Sequence, residues 1–472
     1  MKKLLVYVVV IAIGVLVSFP LVSGFALERA YEERIANMPK QPGITIATES
    51  YERGWFRSSA EVRVTLALDE LLGDPELANE PLELRVLSDL HHGPVLFTEL
   101  GPRLGLGYGN LSFSGASAEG LEQALASWLE AAPLTIRTII YFDQSAQTEL
   151  EVAAYEMDEG EDHVRFGGAS LSLRSNSDLT RFDATMLVKA SNLISTDVAL
   201  DMAEASGSMS YEGSSPYTMV GESVFSIPKL AITGKSFSLI LESMNINSGN
   251  QINQGKMDYF QTIEVGSIES PFPVTSAGWH LEFSGVSPEA LENWSEVSLR
   301  IQEQYQSGDL PLDEQGEPQL TAEMEAELEQ VMNELFQPGL GFVQRLDVGA
   351  LGEQHHADMS LGYKGLPGGV DFEDLEDPMQ LLPAFAGAVN VELNEASVMS
   401  SQFADMLMPF MQQGLLMPEQ GKLVLRASLD DSVMLLNGSP VPLEALLQSA
   451  MSEEPAAEAG QQGEAEHPVT QP

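Results

Sequence analysis

A chain of 472 residues with 23 basic and 70 acidic side chains carries a formal charge of −47, which repels phosphate backbones and excludes a nucleic-acid binder. Hydrophobic residues make up 44% of it, enough to bury a core, so global disorder is excluded too. Cysteine is absent, and with it go disulfides, thiol nucleophiles and thiolate metal sites.

Lys2 and Lys3 precede an apolar run from Leu4 to Val17 that continues without charge to Leu27. Basic residues before such a run hold the N-terminus in the cytoplasm and direct the downstream chain across the membrane. Residues 1–27 can span a bilayer of ~30 Å as an uncleaved transmembrane anchor. The alternative is a cleaved signal peptide, for which Val22-Ser23-Gly24 offers small residues. Residues 28–42 then form a stalk that ends between Pro39 and Pro42.

Thr45–Tyr51 reads as a first strand. Tyr51-Glu-Arg-Gly-Trp-Phe-Arg-Ser58 turns at Gly54, where Trp55 and Phe56 are expected to anchor the turn in a core. Arg53 and Arg57 are the candidates for a binding role there, against a purely structural turn. Ala60–Leu68 alternates cleanly, Leu82–Leu87 is a short strand, and His91-His92-Gly93-Pro94-Val95 is a loop. The Gly-rich run from Gly101 to Gly109 lacks the spacing of a phosphate loop and leads into a strand, Asn110–Phe113, so it reads as bends in a β-region.

Phe113-Ser-Gly-Ala-Ser-Ala-Glu-Gly-Leu-Glu122 recurs as Phe283-Ser-Gly-Val-Ser-Pro-Glu-Ala-Leu-Glu292, identical at seven of ten positions. In each copy a strand ends in Phe-Ser-Gly, Gly115 or Gly285 turns the chain, Ser117 or Ser287 caps a helix, and Leu121 or Leu291 docks it. Pro288 suits the first helical position. A weaker third copy is expected at Val391–Ser397, with a Ser-led helix carrying Phe403, Leu407, Phe410 and Met411.

Between the first two copies lie strands at Leu134–Phe142, Thr148–Met157, His163–Ser175, Arg181–Ala190 and Phe237–Asn247, many with Ser or Thr at every second place. That is the pattern of an antiparallel sheet with one wet face, large or closed on itself. After the second repeat helix, Leu320–Phe336 forms another helix. Between Arg300 and Arg345 there are ten acids and no base, so this hairpin presents a negative face to solvent. Gly341–Val348, Gln354–Tyr363, Lys422–Leu429 and Ser432–Leu436 are further strands, with a turn at Asn437-Gly438.

Asp371–Asp377 reads as a solvated acidic loop, with calcium as the lesser alternative. The methionines Met399, Met406, Met408, Met411 and Met417 read as core, with an adaptable lipid or partner surface as the alternative. Residues 451–472 have the composition of a disordered acidic tail.

No Gly-x-Ser-x-Gly elbow and no His-Glu-x-x-His motif occurs. The pairs His91-His92 and His355-His356 could supply one ligand each to a metal, since neighbours on a strand point to opposite faces, but they read as ordinary histidines. No catalytic, cofactor-binding or metal residue is assigned.

Three stretches resemble a known family. Tyr51-Glu-Arg-Gly-Trp-Phe-Arg-Ser58 is similar to its Tyr-x-Arg-Gly-Trp-Phe-x-Ser signature, Leu90-His-His-Gly-Pro-Val95 to its His-Gly-Pro loop, and Leu435-Leu-Asn-Gly-Ser439 to its closing Asn-Gly hairpin. The family is the bacterial group typified by the YdgA and YihF proteins, a domain of unknown function. The resemblance implies a single-pass inner-membrane protein, N-terminus cytoplasmic and body periplasmic, and transfers no catalytic residue. Its motif residues here are Tyr51, Arg53, Gly54, Trp55, Phe56, His92, Gly93, Pro94, Asn437 and Gly438.

The expected fold is α+β and β-rich: a transmembrane helix, then a large, mostly antiparallel twisted sheet with repeated strand-to-helix modules. Residues 43–270 hold the first module and residues 271–450 the second and third. The expected function is a non-enzymatic envelope protein that binds lipid or another amphiphile in a sheet groove. A protein–protein scaffold is the alternative, and a hydrolase the third.

Overall fold

Apolar and polar residues trade places along nearly every strand, so each strand has one face to hide and one to wet. The computed structural model describes residues 44–67, 82–99, 101–115, 133–160, 162–214, 218–307, 310–311, 319–365 and 382–441. The expected anchor, the stalk, the first repeat helix with Ser117 and Leu121, the acidic loop Asp371–Asp377 and the C-terminal tail lie outside the described residues.

Among the described residues, 24 of the 26 strands form one antiparallel sheet. It opens with β1 (Ile44–Arg53), β2 (Arg57–Leu66) and β3 (Leu82–His92). β4 (Val95–Thr98) and β5 (Gly101–Leu104) make a separate hairpin. The main sheet resumes with β6 (Gly107–Gly115), β7 (Leu134–Ile140) and β8 (Ala146–Val152).

Next come β9 (Tyr155–Glu159), β10 (Asp162–Phe166), β11 (Ala169–Ser175), β12 (Arg181–Val188), β13 (Ser191–Ile194), β14 (Val198–Met202) and β15 (Ala205–Glu212). From β8 to β15 they are the halves of four long strands, each interrupted for two residues. The expected strands Thr148–Met157 and His163–Ser175 are thus broken, at Ala153-Ala154 and Gly167-Gly168. β16 (Val220–Gly234) spans both halves, pairing with β15 through Val220–Ser226 and with β14 through Leu230–Gly234. The interruptions lie side by side and form a bend line. Beyond it a second apolar ladder runs from Met157 through Val164, Leu193 and Leu200 to Ile232. The odd spacing from Val152 to Tyr155 and from Phe166 to Ala169 resets which residues point inward, as bulges do.

β17 (Ser238–Asn253), β18 (Lys256–Glu269) and β19 (Val274–Val286) carry the sheet through position 270 with no gap in pairing. Helices α1 (Pro288–Ser307) and α2 (Ala322–Leu335) then leave it. The Ser287 hydroxyl accepts from the Ala290 N–H at 3.4 Å, as the repeat predicts, and Thr321 caps α2 through the Met324 N–H. The two helices pack on each other, burying Val297, Met324 and Val331. Phe336 meets Tyr363 edge-on, and Tyr363 meets Phe385, which ties the helical hairpin back to the sheet.

The last strands are β20 (Gly341–Ala350), β21 (Glu353–Tyr363) and β22 (Phe385–Asn394), followed by α3 (Glu395–Met399) and α4 (Ala404–Gln412). β23 (Met417–Glu419), β24 (Lys422–Asp430), β25 (Val433–Leu436) and β26 (Ser439–Val441) close the chain. The third strand-to-helix unit exists, but its cap is Asn394 and not a serine: Asn394 Oδ1 accepts from the Ser397 N–H at 2.9 Å. Val398, Leu416 and Leu423 form a buried cluster with Leu393, Leu407 and Leu425.

Among the described residues β1 pairs only with β2 and β26 only with β25, so the described sheet is large and does not close on itself. The β1 edge is blunted by a bulge between Thr48 and Ser50 and by charged Glu49, Glu52 and Arg53.

Gly285 shows what the repeat junction demands. It has φ +81°, and a Cβ there would lie 2.3 Å from the Gly339 carbonyl oxygen. Gly285→Ala should cost about 1–3 kcal/mol, and more than Gly255→Ala, whose glycine has φ +80° but open space around it. Urea unfolding midpoints of the two variants measure the difference; equal midpoints would contradict the junction's role.

Candidate functional site

Two of the motifs meet at one end of the sheet. Gly54 sits where a Cβ would lie 2.3 Å from the Arg57 carbonyl oxygen, and its N–H donates to that oxygen at 2.9 Å, closing the β1–β2 turn. The His92 N–H donates to the Phe56 carbonyl at 3.0 Å, and Gly93, at φ +128°, donates to Leu106. Ser58 and His92, each 1% exposed, share a hydrogen bond of 3.2 Å between Oγ and Nε2. Serine beside histidine suggests a nucleophile and its base, but substrate cannot reach a pair this buried. The pair staples two strands.

Ser58 was not among the candidates. Its signal was available, since alternation with Ala60 and Val62 puts it on the buried face. Trp55 and Phe56 do not enter a core: each is 50% exposed. Tyr51 is half-buried. Arg57 forms a two-point ion pair with Asp89, which His91 also approaches at 3.2 Å.

The third motif lies far from these. Asn437 Oδ1 accepts from the Arg426 N–H, and its amide donates to the Gly414 and Leu415 carbonyls. Asn437 and Gly438, at φ +47° and +80°, make the β25–β26 turn.

The two histidine pairs do not share a site. Twelve strand steps of ~4.8 Å separate β3 from β21, about 58 Å measured along the sheet. Among the described residues no group of three or more metal-ligating side chains occurs. His355 is buried, with Nε2 on the Ala350 carbonyl and Nδ1 accepting from the Asn394 N–H. His356 faces Asp347 at 2.8 Å and Asp358 at 3.1 Å. The hydrogen bond to Asp347, then its charge, and the contacts to Asp358 raise the imidazole's pKa against opposing burial.

What the topology does assemble is an apolar row. Register partners run from Tyr51 through Ala60, Ser88, Leu111 and Ile136 to Leu150. The row continues through Leu171, Met186, Gly207, Phe225 and Ile246 to Ile263. It ends through Trp279, Leu346, Ala357 and Val391 at Leu425. Sixteen steps of ~4.8 Å take it about 75 Å across the sheet.

The face is only partly covered: Phe283, Leu346 and Leu361 remain 44%, 41% and 40% exposed. Where α3 and α4 overlie β20–β22, a cavity of about 320 Å³ opens on this row. Leu346, Val348, Ala357 and Val391 form its floor and Val398, Phe403 and Leu407 its roof, and apart from His355 and His356 the lining is apolar. Met399 and Met411 pack on the buried cluster, whereas Met406, Met408 and Met417 are exposed, Met406 while lining the cavity. No residue of α4 is buried.

A family model described as a bacterial protein of unknown function, DUF945, matches residues 1–444. No curated protein and no solved structure matches the chain. Among the described residues, no helix is long and apolar enough to cross a membrane.

Ser58→Ala removes a buried partner of His92 and should cost about 1–3 kcal/mol in urea unfolding; an unchanged midpoint would mean the pair staples nothing. His356, with its pKa raised in the folded state, contributes stability that is fully present below its unfolded value and is lost as pH rises through the folded one. The stability deficit of His356→Asn should therefore be larger at about pH 5.5 than at about pH 9. Unfolding midpoints at both pH values check the sign.

Proposed function

This chain belongs to that bacterial family of unknown function, and we propose that it is a non-enzymatic envelope protein that holds the apolar chain of an amphiphile on one sheet face. The single observation that carries this is the cavity under α3 and α4, continuous with the partly covered apolar row. Ligand sites are concave and mostly apolar with a few polar groups, and this lining has that character, with His355 as the polar side chain on the same strand face as Ala357. Exposed methionines on and after α4 are unbranched and adaptable, which suits a roof that must accommodate a flexible chain. The uncharged stretch to Leu27 behind Lys2 and Lys3 supports a single-pass inner-membrane anchor with the body in the periplasm, where such an amphiphile would be met.

Photo-crosslinking tests the site directly. A long-chain fatty acid bearing a diazirine on its alkyl chain should label peptides covering Leu346–Ala357 and Val391–Leu407 in the full chain. Ala357→Trp fills the floor and should cut that labelling about tenfold, equivalent to ~1.4 kcal/mol of lost binding, with the thermal midpoint checked for folding. Label confined to residues 1–27 would end this reading.

A further inference from the structure

The β4–β5 hairpin has two unlike faces. Leu96 points inward and is 1% exposed. On the other face Val95 pairs with Leu104 and Phe97 with Pro102, and Val95, Phe97 and Leu104 are 36%, 67% and 65% exposed. The bond from the His92 N–H to the Phe56 carbonyl brings the half-exposed Trp55-Phe56 turn to the same end, three residues before the hairpin begins. Apolar side chains of the turn and of the hairpin meet water at this end, and exposed apolar patches mark contact surfaces.

Charge identifies the partner. Residues 53–57 and 95–104 hold three arginines and one glutamate; with Glu52 and Asp89 beside them the tip is close to neutral, far less acidic than a chain of net charge −47. Arg57 is engaged by Asp89, while Arg103 is exposed and pairs with no carboxylate among the described residues. Tryptophan, phenylalanine and leucine flanked by arginine are the side chains that settle at the lipid–water boundary, where the rings enter the headgroup region and the guanidinium meets phosphate. Elsewhere the acidic surface would be repelled by anionic headgroups; this tip would not.

We propose that Trp55, Phe56, Phe97 and Leu104, with Arg103, form a contact that enters an anionic lipid–water interface. The surface is distinct from the apolar cavity, which lies more than ten strands away. Nor is it tied to amphiphile binding there. The 16 residues from Glu28 to Gly43 reach up to ~55 Å when extended, more than the ~33 Å length of β1, so a bilayer holding residues 1–27 is within reach of the tip.

The absence of cysteine makes the test clean, because Phe97→Cys takes a nitroxide label with no native thiol to remove. The full chain is reconstituted in vesicles of phosphatidylethanolamine and phosphatidylglycerol. The label at 97 should lose access to a water-soluble nickel chelate and gain collisions with oxygen, while a label from Gln254→Cys, in the exposed β17–β18 turn, stays open to the chelate. Adding Leu104→Asp or Arg103→Glu should return the label at 97 to water. Equal chelate access at 97 and 254 would overturn the proposal, as would a label immobilised by a protein without oxygen enrichment. The same immersion in pure phosphatidylcholine would overturn its charge dependence.

Discussion

The main sheet is held in one register by the row of side chains that crosses it from Tyr51 to Leu425. A one-residue slip at any pairing would send the apolar set of a strand to the wet face and bring Glu, Asp, Arg or Ser to the other. Each strand therefore constrains the next, and a meander of sequential neighbours needs no other rule to order it. Ser88 and Gly207 are the two steps where the row carries no apolar side chain, and both lie opposite large neighbours, Leu111 and Phe225.

That same constraint creates the molecule's unusual surface. A single sheet hides one face only if something packs on it, and here α1–α2 and α3–α4 cover limited parts of it. Phe283, Leu346 and Leu361 stay near 40% exposed because the described helices do not extend over them. The cavity arises from this geometry, since α3 and α4 rest on Leu393, Leu423 and Leu425 and stand away from Leu346 and Ala357. The wet face behaves in the opposite way. Arg63 with Glu49, Arg85 with Glu61 and Lys422 with Glu392 form cross-strand pairs that add little stability where they are exposed, but oppose register slips.

Motif residues serve this frame at its two ends. Ser58 and His92 lock β2 to β3 where the hairpin leaves, and Asn437 locks β24 to the turn after α4. Trp55 and Phe56 of the first motif face outward, whereas Tyr51 joins the apolar row. The fixed turn thus presents Trp55 and Phe56 while the bonds behind it do the holding. Display and support are divided within eight residues.

Much of this was legible in the sequence. Strict alternation declared the strands and the wet face, Phe-Ser-Gly followed by Ser-Pro declared the β19–α1 junction down to its Ser287 cap, and the charge and cysteine count narrowed the chemistry. Side-chain period and capping are local physics, so a local reading finds them. Three features required the folded chain. The bend line came from interruptions at Ala153-Ala154 and Gly167-Gly168 that matter only because they lie side by side in the sheet. Asn394 displaced the expected serine as a cap because the turn of β22 into α3 begins three residues earlier than the repeat suggests. Whether Trp55 is core or surface, and whether Leu346 is covered, depends on what packs above them across hundreds of residues of chain. Local sequence sets which face a side chain joins; only tertiary structure decides whether that face is filled, and here part of it is left open.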